Sequence, residues 1–266
     1  MTRWLSKNLI RIYAALALIY LFIPVAYTMA FSFNDSGKRN LIWQGFTFKN
    51  WLNPCGAPEV CTALGNSIKI GFLATLFSTL LGTMIAFALG RYSFRGRSTT
   101  NLLIFLPMAT PEIVLGASLL AMFLNLGINP GFWTTVIAHV MFCISFVVVT
   151  VKARIASLDP KLEEAARDLY ATEWQTFRRV TLPLVAPGIA AASLLAFSLS
   201  FDDFIITNFN AGTVNTFPKF VWVSSARGVP AQANVIGSAM FLIALAIVVS
   251  AQIYSSAKAR RLQKKH

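Results

Sequence analysis

Uncharged apolar runs, each about the length of a membrane crossing, alternate along this 266-residue chain with short segments that hold nearly all of its charge. A crossing helix needs about 20 predominantly apolar residues. The first run, Ile12 to Phe33, follows Arg3, Lys7 and Arg11 and contains Pro24. It exceeds the apolar length of a signal peptide and no small-residue cleavage site follows it, so a retained span is expected. The second run covers about 70–90, and the third about 101–125 with Pro107, Pro111 and Glu112 inside it. Gly127, Asn129, Pro130 and Gly131 then predict a short turn, since Pro and Gly do not readily continue a helix. Further spans are expected at about 132–151, 182–209 and 232–256, the fifth crossing Asp202 and Asp203. Six helices follow, with both termini on one side.

Composition agrees with lipid as the main solvent. Apolar residues make up 56% of the chain and charged residues 12%, against about 25% charged for a soluble domain. The expected fold class is all-α, a polytopic membrane protein. The formal charge of +13 raises the question of nucleic acid, and the placement of that charge answers it. Basic residues sit between the apolar runs, with no basic domain interleaved with aromatics and no nucleic-acid motif. Seventeen of the 23 Lys and Arg fall at the termini, in the 91–97 loop and in the 152–179 segment; the other six are Lys38, Arg39, Lys49, Lys69, Lys219 and Arg227. Basic loops stay in the cytoplasm, which puts both termini there.

The three cysteines divide by location. Cys143 lies in an apolar run and reads as a packing residue. Cys55 and Cys61 lie in an outward loop among Pro54, Gly56 and Pro58, where either a disulfide or two free thiols is possible. Their spacing fits no usual zinc pattern. His139, in the fourth span, reads as a hydrogen-bonded core residue rather than a ligand. The chain has no Gly-rich Lys-Ser/Thr phosphate loop, so it cannot supply an ATP site.

The polar segment Lys152 to Arg179 holds five of the ten acidic residues. Asp159 then Pro160 marks a helix start, with Glu163 and Glu164 near its positive end. Leu158, Leu162, Ala165 or Ala166, and Leu169 form one narrow apolar stripe. Thr172-Glu173-Trp174-Gln175 fits a capping box, after which Trp174, Phe177 and Val180 continue the stripe. A helix–turn–helix at the inner face of the membrane is expected. On pattern alone it could be only a loop between spans. The residues themselves point further. Glu164-Ala165-Ala166, with Val180-Thr181-Leu182-Pro183 at its set distance, resembles the EAA signature of ABC importer permeases. That signature reads Glu-Ala-Ala, three residues, Gly, nine residues, then aliphatic, any, Leu, Pro. Tyr170 stands here where the signature has Gly, and a bulky residue in a left-handed turn costs roughly 1 kcal/mol or more. Either the turn has another geometry or Tyr170 accepts that strain. The resemblance implies a type I importer permease fold of six helices. It also implies coupling to a cytoplasmic ATPase through Glu163, Glu164, Ala165, Ala166, Asp168, Tyr170, Leu182 and Pro183.

Glu112, Asp202 and Asp203 are the acids inside the apolar runs. A carboxylate at a helix centre costs about 2.5–3.5 kcal/mol on insertion scales and is a functional candidate. Pro183 to Asp202 spans about 28 Å of helix, so the pair is either near water at the outer interface or buried in the outer half. Phe201, Phe204, Phe209 and Trp222 accompany it, and carboxylates with aromatic faces suit an amine cation. Each ring alone also fits lipid or core. Phe31-Ser32-Phe33-Asn34, Pro111-Glu112, Leu199-Ser200-Phe201-Asp202-Asp203, Phe217-Pro218 and Arg227-Gly228 together look like the second permease of spermidine/putrescine importers. By that resemblance Glu112, Asp202, Asp203, Phe201, Phe204 and Trp222 would line the cargo path. The partners implied are a second related permease, two ATPase subunits that bind ATP and Mg, an external substrate-binding protein and the lipid bilayer. No cofactor is expected in this chain. Other cargo, such as chelated iron or another small solute, stays open within that class. Outside it stand a membrane-embedded enzyme using these carboxylates, for which no His–Glu–His metal pattern is found, and a passive channel.

Overall fold

The computed structural model describes residues 2–37, 40–226 and 228–263. Lys38, Arg39, Arg227, Lys264 and Lys265, counted above for charge or resemblance, lie outside the described residues, as does His266. The described residues are mostly helical: α1 (Thr2–Phe31), α2 (Lys49–Leu52), α3 (Val60–Arg91), α4 (Arg97–Ala109), α5 (Glu112–Asn125), α6 (Phe132–Ala156), α7 (Lys161–Asp168), α8 (Glu173–Thr176), α9 (Leu182–Asp202), α10 (Ile205–Asn210), α11 (Phe217–Ser225) and α12 (Ala231–Gln263). A π-helical turn, Phe177–Thr181, joins α8 to α9. Among the described residues five helices are long and apolar enough to cross a membrane, and α4 with α5 makes a sixth crossing if the pair is one broken span.

The chain divides into two compact units. The first unit, residues 1–61 and 221–266, pairs α1 with α12, with Phe22 set edge-on to Phe241 at 6.3 Å. Leu9, Ile10, Ile12, Leu16 and Ile19 on α1 are all more than half exposed. Such a surface belongs in lipid, which needs no protein partner to cover it. The loop after α1 is organised by the buried Asn34. Its amide donates to Asn40 Oδ1 (2.6 Å) and the Ile42 carbonyl (2.8 Å), and its Oδ1 accepts from Gln44 N (2.7 Å). Phe33 stacks on Phe46 and Trp51 beneath the same loop. Cys55 and Cys61 are joined by a disulfide, with their Cα atoms 5.3 Å apart.

The second unit, residues 62–220, is built around α6. Cys143, Val147, Val148 and Val151 of α6 are buried against Val185, Ala192 and Ala196 of α9. Small residues let these helices approach closely, as interfaces in lipid require. Gly188 is the clearest case, because a Cβ there would collide with the Arg154 stem. Arg154 spends its guanidinium on the Leu184 carbonyl, at 3.0 and 2.8 Å.

Two breaks shape this unit. The third apolar run, expected as one interrupted span over 101–125, is two helices bent by 108° at Thr110–Pro111. Pro disfavours helical backbone in the residue before it, and Thr110 is extended at ψ 132°. The fifth run, expected to continue to Phe209, ends as α9 at Asp202, because Asp203 turns to ψ 119° and a new helix, α10, starts at Ile205. No Pro or Gly lies there to signal the stop. Side chains make it, as described next.

Candidate functional site

The residues singled out in the sequence fall mainly into two groups. The first is the α7–α8 pair. Asp159 Oδ1 accepts from the Lys161 amide at 3.0 Å, so the helix starts where Asp159-Pro160 places it. α7 closes with the Ala171 amide on the Ala166 carbonyl (3.1 Å) and the Tyr170 amide on the Arg167 carbonyl (2.9 Å). These are the two bonds of a Schellman cap, which needs a left-handed residue between them. Tyr170 occupies that place at φ 59°. The turn keeps the geometry that Gly would favour, and Tyr170 accepts the strain. The capping box also forms: Thr172 Oγ1 accepts from the Gln175 amide (3.3 Å), and Gln175 Oε1 accepts from the Thr172 amide (2.9 Å).

The acids of α7 divide. Glu163 is half-buried and turned toward its own unit, where Arg91 at the end of α3 and the Thr181 hydroxyl both bond its carboxylate. The bonds from Arg91 hold its carboxyl below the ordinary value of 4.5 despite some desolvation. Glu164 and Asp168 face outward, as does Ala165, while Ala166 and Leu182 are half-buried and Pro183 is exposed. The tip is apolar and uncovered: Leu169 is 82% exposed, Tyr170 96% and Trp174 67%. Because Glu163 has a lowered value in the folded chain, its pairing adds stability above about pH 4.5 and loses it as pH falls through that lower value. Hydrogen exchange across 161–168 is therefore expected to rise on acidification below that range, and Glu163→Gln to show the same rise at neutral pH.

The second group lies at the two breaks. α10 packs on both α5 and α6. Asn210 donates to the Gly116 carbonyl of α5 at 3.2 Å, and its own carbonyl accepts from Gly131 N (3.1 Å) and the Thr134 hydroxyl (2.8 Å). A Cβ on Gly116 would press against the Phe209 ring, 3.0 Å away. Gly212, at φ 53° and tight against the Pro130 carbonyl, turns the chain after α10. Lys219 closes the same turn by donating to the Gly212 and Val214 carbonyls, at 2.8 and 3.2 Å.

This packing brings the first residue of α5 and the last of α9 into one region. Glu112 and Asp202 are both exposed, and the charges of Asp202 and Asp203 are near enough to act on Glu112. Asp202 sits in the last turn of its helix, where the helix dipole disfavours an acid by about 0.3–1 kcal/mol. Asp203, one residue on, is 8% exposed and faces the other way. It accepts from the amides of Ile206 (3.4 Å) and Thr207 (2.9 Å), capping α10, and lies 3.3 Å from His139 Nε2 of α6. Phe201 is half-buried and stacked on Phe197 at 5.8 Å, and Phe204 is half-buried at the break. Trp222 is exposed and belongs to the other unit.

His139 is the hydrogen-bonded core residue that its place in an apolar run suggested: 1% exposed, with Ser200 Oγ at 2.7 Å and Thr207 Oγ1 at 2.9 Å. Sequence reasoning missed Ser200, Thr207 and Asn210. The available signal was a buried His that must find partners, together with Asp203 and Thr207 at capping distance. No group of three metal-ligating side chains occurs among the described residues.

Three comparisons bear on this arrangement. Residues 78–264 match the family model described as "Binding-protein-dependent transport system inner membrane component". The chain is 35% identical over 242 residues to the spermidine/putrescine transport system permease protein PotC of Escherichia coli (strain K12), covering 91% of each. It is 33% identical over 254 residues to the putrescine transport system permease protein PotI of the same strain, covering 92% of this chain and 90% of that one. Among solved structures, a bacterial ABC transporter involved in import of the acidic polysaccharide alginate aligns with TM-score 0.68 at 17% identity, over 95% of this chain and 97% of that one. The MetNI methionine ABC transporter aligns with TM-score 0.59 at 14% identity, over 72% of this chain and 92% of that one. At those identities the structures speak to the fold alone.

Proposed function

Since this chain belongs to the family of binding-protein-dependent transport system inner membrane components, we propose that it is a membrane subunit of an ATP-driven importer carrying spermidine or putrescine into the cell. The observation that carries the cargo is the pair Glu112 and Asp202, two exposed carboxylates at adjacent helix breaks inside a membrane-spanning unit. Discontinuous helices are where transporters build substrate sites near the bilayer midplane. An amine cation entering such a site exchanges its water for fixed negative charge, and the aromatic faces of Phe201 and Phe204 add cation–π attraction. Asp203 serves this path without lining it, in the role argued below. The 35% identity to a permease named for spermidine and putrescine supports the same cargo.

The remaining parts follow from what one such chain lacks. It pairs with a second related permease, and an external binding protein delivers the cargo. Two cytoplasmic ATPase subunits bind ATP and Mg and supply the energy. Both termini and the α7–α8 pair face the cytoplasm of a bacterial inner membrane, as the basic loops require. The Cys55–Cys61 bridge lies in the opposite, outer loop, where oxidation is sustained. The exposed tip, Leu169, Tyr170 and Trp174, together with Glu164, enters a groove on the ATPase. Closure of the ATPase pair moves α7, and the Arg91–Glu163–Thr181 contact passes that movement to α3 and α9.

Tyr170 gives a direct check on docking. Tyr170→Gly is expected to leave the cap of α7 intact, since Gly favours φ near 59°. Loss of the ring is expected to weaken ATPase association about threefold or more, read by pull-down from solubilised membranes. The cargo reading is tested by uptake of labelled putrescine and spermidine in cells with and without the gene. Uptake lost on deletion and restored by the intact gene supports it; unchanged uptake, where no second polyamine system exists, removes it.

A further inference from the structure

We propose that His139 and Asp203 form a buried strut that fixes the break between α9 and α10, so that Asp203 serves transport by positioning Asp202 and does not touch cargo. The proposal rests on the cargo reading above only for what Asp202 meets. Adjacent aspartates look equivalent in sequence. Their surroundings are opposite, one open and one enclosed.

Both oxygens of Asp203 are engaged. Oδ1 accepts from the Ile206 amide, and Oδ2 accepts from the Thr207 amide and faces His139 Nε2. The imidazole reaches both sides of the break: Nδ1 meets Ser200 on α9 at 2.7 Å, and Nε2 meets Thr207 on α10 at 2.9 Å. The Thr207 hydroxyl donates its hydrogen to the Asp203 carbonyl at 3.0 Å, so its oxygen faces Nε2 as an acceptor. The ring therefore carries its proton on Nε2, and Nδ1 takes the hydrogen of Ser200. Residues 139, 200 and 207 are each 3% exposed or less.

A break in a helix frees backbone groups that lipid cannot satisfy, so it persists only where protein groups replace the lost bonds. Here that replacement comes from one side chain of the break itself and one ring of α6. Asp202 is the residue immediately before, so its direction is set by the backbone that this strut holds. A cation could reach Asp203 only by displacing both amides and the imidazole.

The test uses the assembled transporter with variants at 139, 202 and 203. Two readouts are taken: hydrogen exchange of the 203–210 peptide, and KM and maximal rate for uptake of putrescine and spermidine. At 203 the strut requires the order of capping residues. Asp203→Asn and Asp203→Ser are expected to keep exchange protection and uptake within about twofold. Asp203→Ala is expected to raise exchange and cut maximal uptake about tenfold or more, equally for both amines. His139→Leu should match it, and the double variant should be no worse than either single, because both remove one network. Asp202→Asn should instead raise KM, more for spermidine than for putrescine, with exchange unchanged. Asp203→Asn raising KM in that charge-dependent way, with protection intact, would overturn the proposal. If the intact transporter moves neither amine, the cargo reading fails and the exchange measurements still decide the strut: protection kept in Asp203→Ala overturns it, and protection lost there but kept in Asp203→Asn upholds it.

Discussion

Replacing Glu112 by Gln and Asp202 by Asn together is expected to lower polyamine uptake at least about tenfold while leaving the complex assembled. A hydrogen bond to a charged group contributes about 1.5–3 kcal/mol, and each 1.4 kcal/mol is tenfold in an equilibrium. Two such losses leave a large effect after discounting for the exposure of both side chains. Stability should hardly move. Glu112 gains a little from its place in the first turn of α5, and Asp202 loses a similar amount in the last turn of α9. Gln and Asn keep the shapes. An acid kept where its own helix disfavours it is best explained by what approaches it. The check is uptake of both amines beside size-exclusion of the complex, and full uptake by the double variant would count against these two as cargo contacts.

The second large effect is expected at the cytoplasmic tip. Leu169→Asp with Trp174→Ala should abolish ATPase co-purification and with it uptake, although the permease still inserts. Leu169 and Trp174 are more than half exposed on a polar, charged segment, outside the apolar runs. An apolar tip there needs a protein partner to cover it. A Trp anchor at an interface can be worth about 2 kcal/mol or more, and an aspartate at 169 would bring an unpaired charge into it. Trp174 also stacks on Phe177 at 5.7 Å, and Phe177 meets Phe87 of α3. Hydrogen exchange over 173–181 should therefore accompany the pull-down, to show that the tip still folds. Retained ATPase association in that variant would place the docking surface elsewhere.

How legible this molecule was depends on which forces set each feature. Apolar runs and basic loops revealed the crossing helices, because lipid imposes length and composition directly. Asp159-Pro160 and Thr172-x-x-Gln175 marked both starts in the α7–α8 pair, because caps are made by neighbours in sequence. The left-handed turn at Tyr170 was one of two outcomes open in the sequence, and the backbone shows it. The sequence permitted the disulfide without deciding it. Pro111 announced a break but not its 108° angle, which depends on how α10 packs against α5. The end of α9 was the least legible. Nothing within 189–209 stops a helix by propensity, and the partner that holds Asp203 in place, His139, is far away in the chain. For the same reason Asp202 and Asp203 read alike in the sequence, while the structure leaves one exposed and encloses the other. Phe201 joined the break, while Trp222 fell in another unit.

The central claim is that this chain carries polyamines only as part of an ATP-driven assembly. It is tested most directly by reconstituting the chain with the proposed second permease, ATPase subunits and binding protein in liposomes, and following labelled putrescine. The account expects accumulation that needs internal ATP and the binding protein, and that falls on Glu112→Gln with Asp202→Asn. Putrescine entry independent of ATP, or none in an assembly that hydrolyses ATP and accumulates another solute, would contradict it.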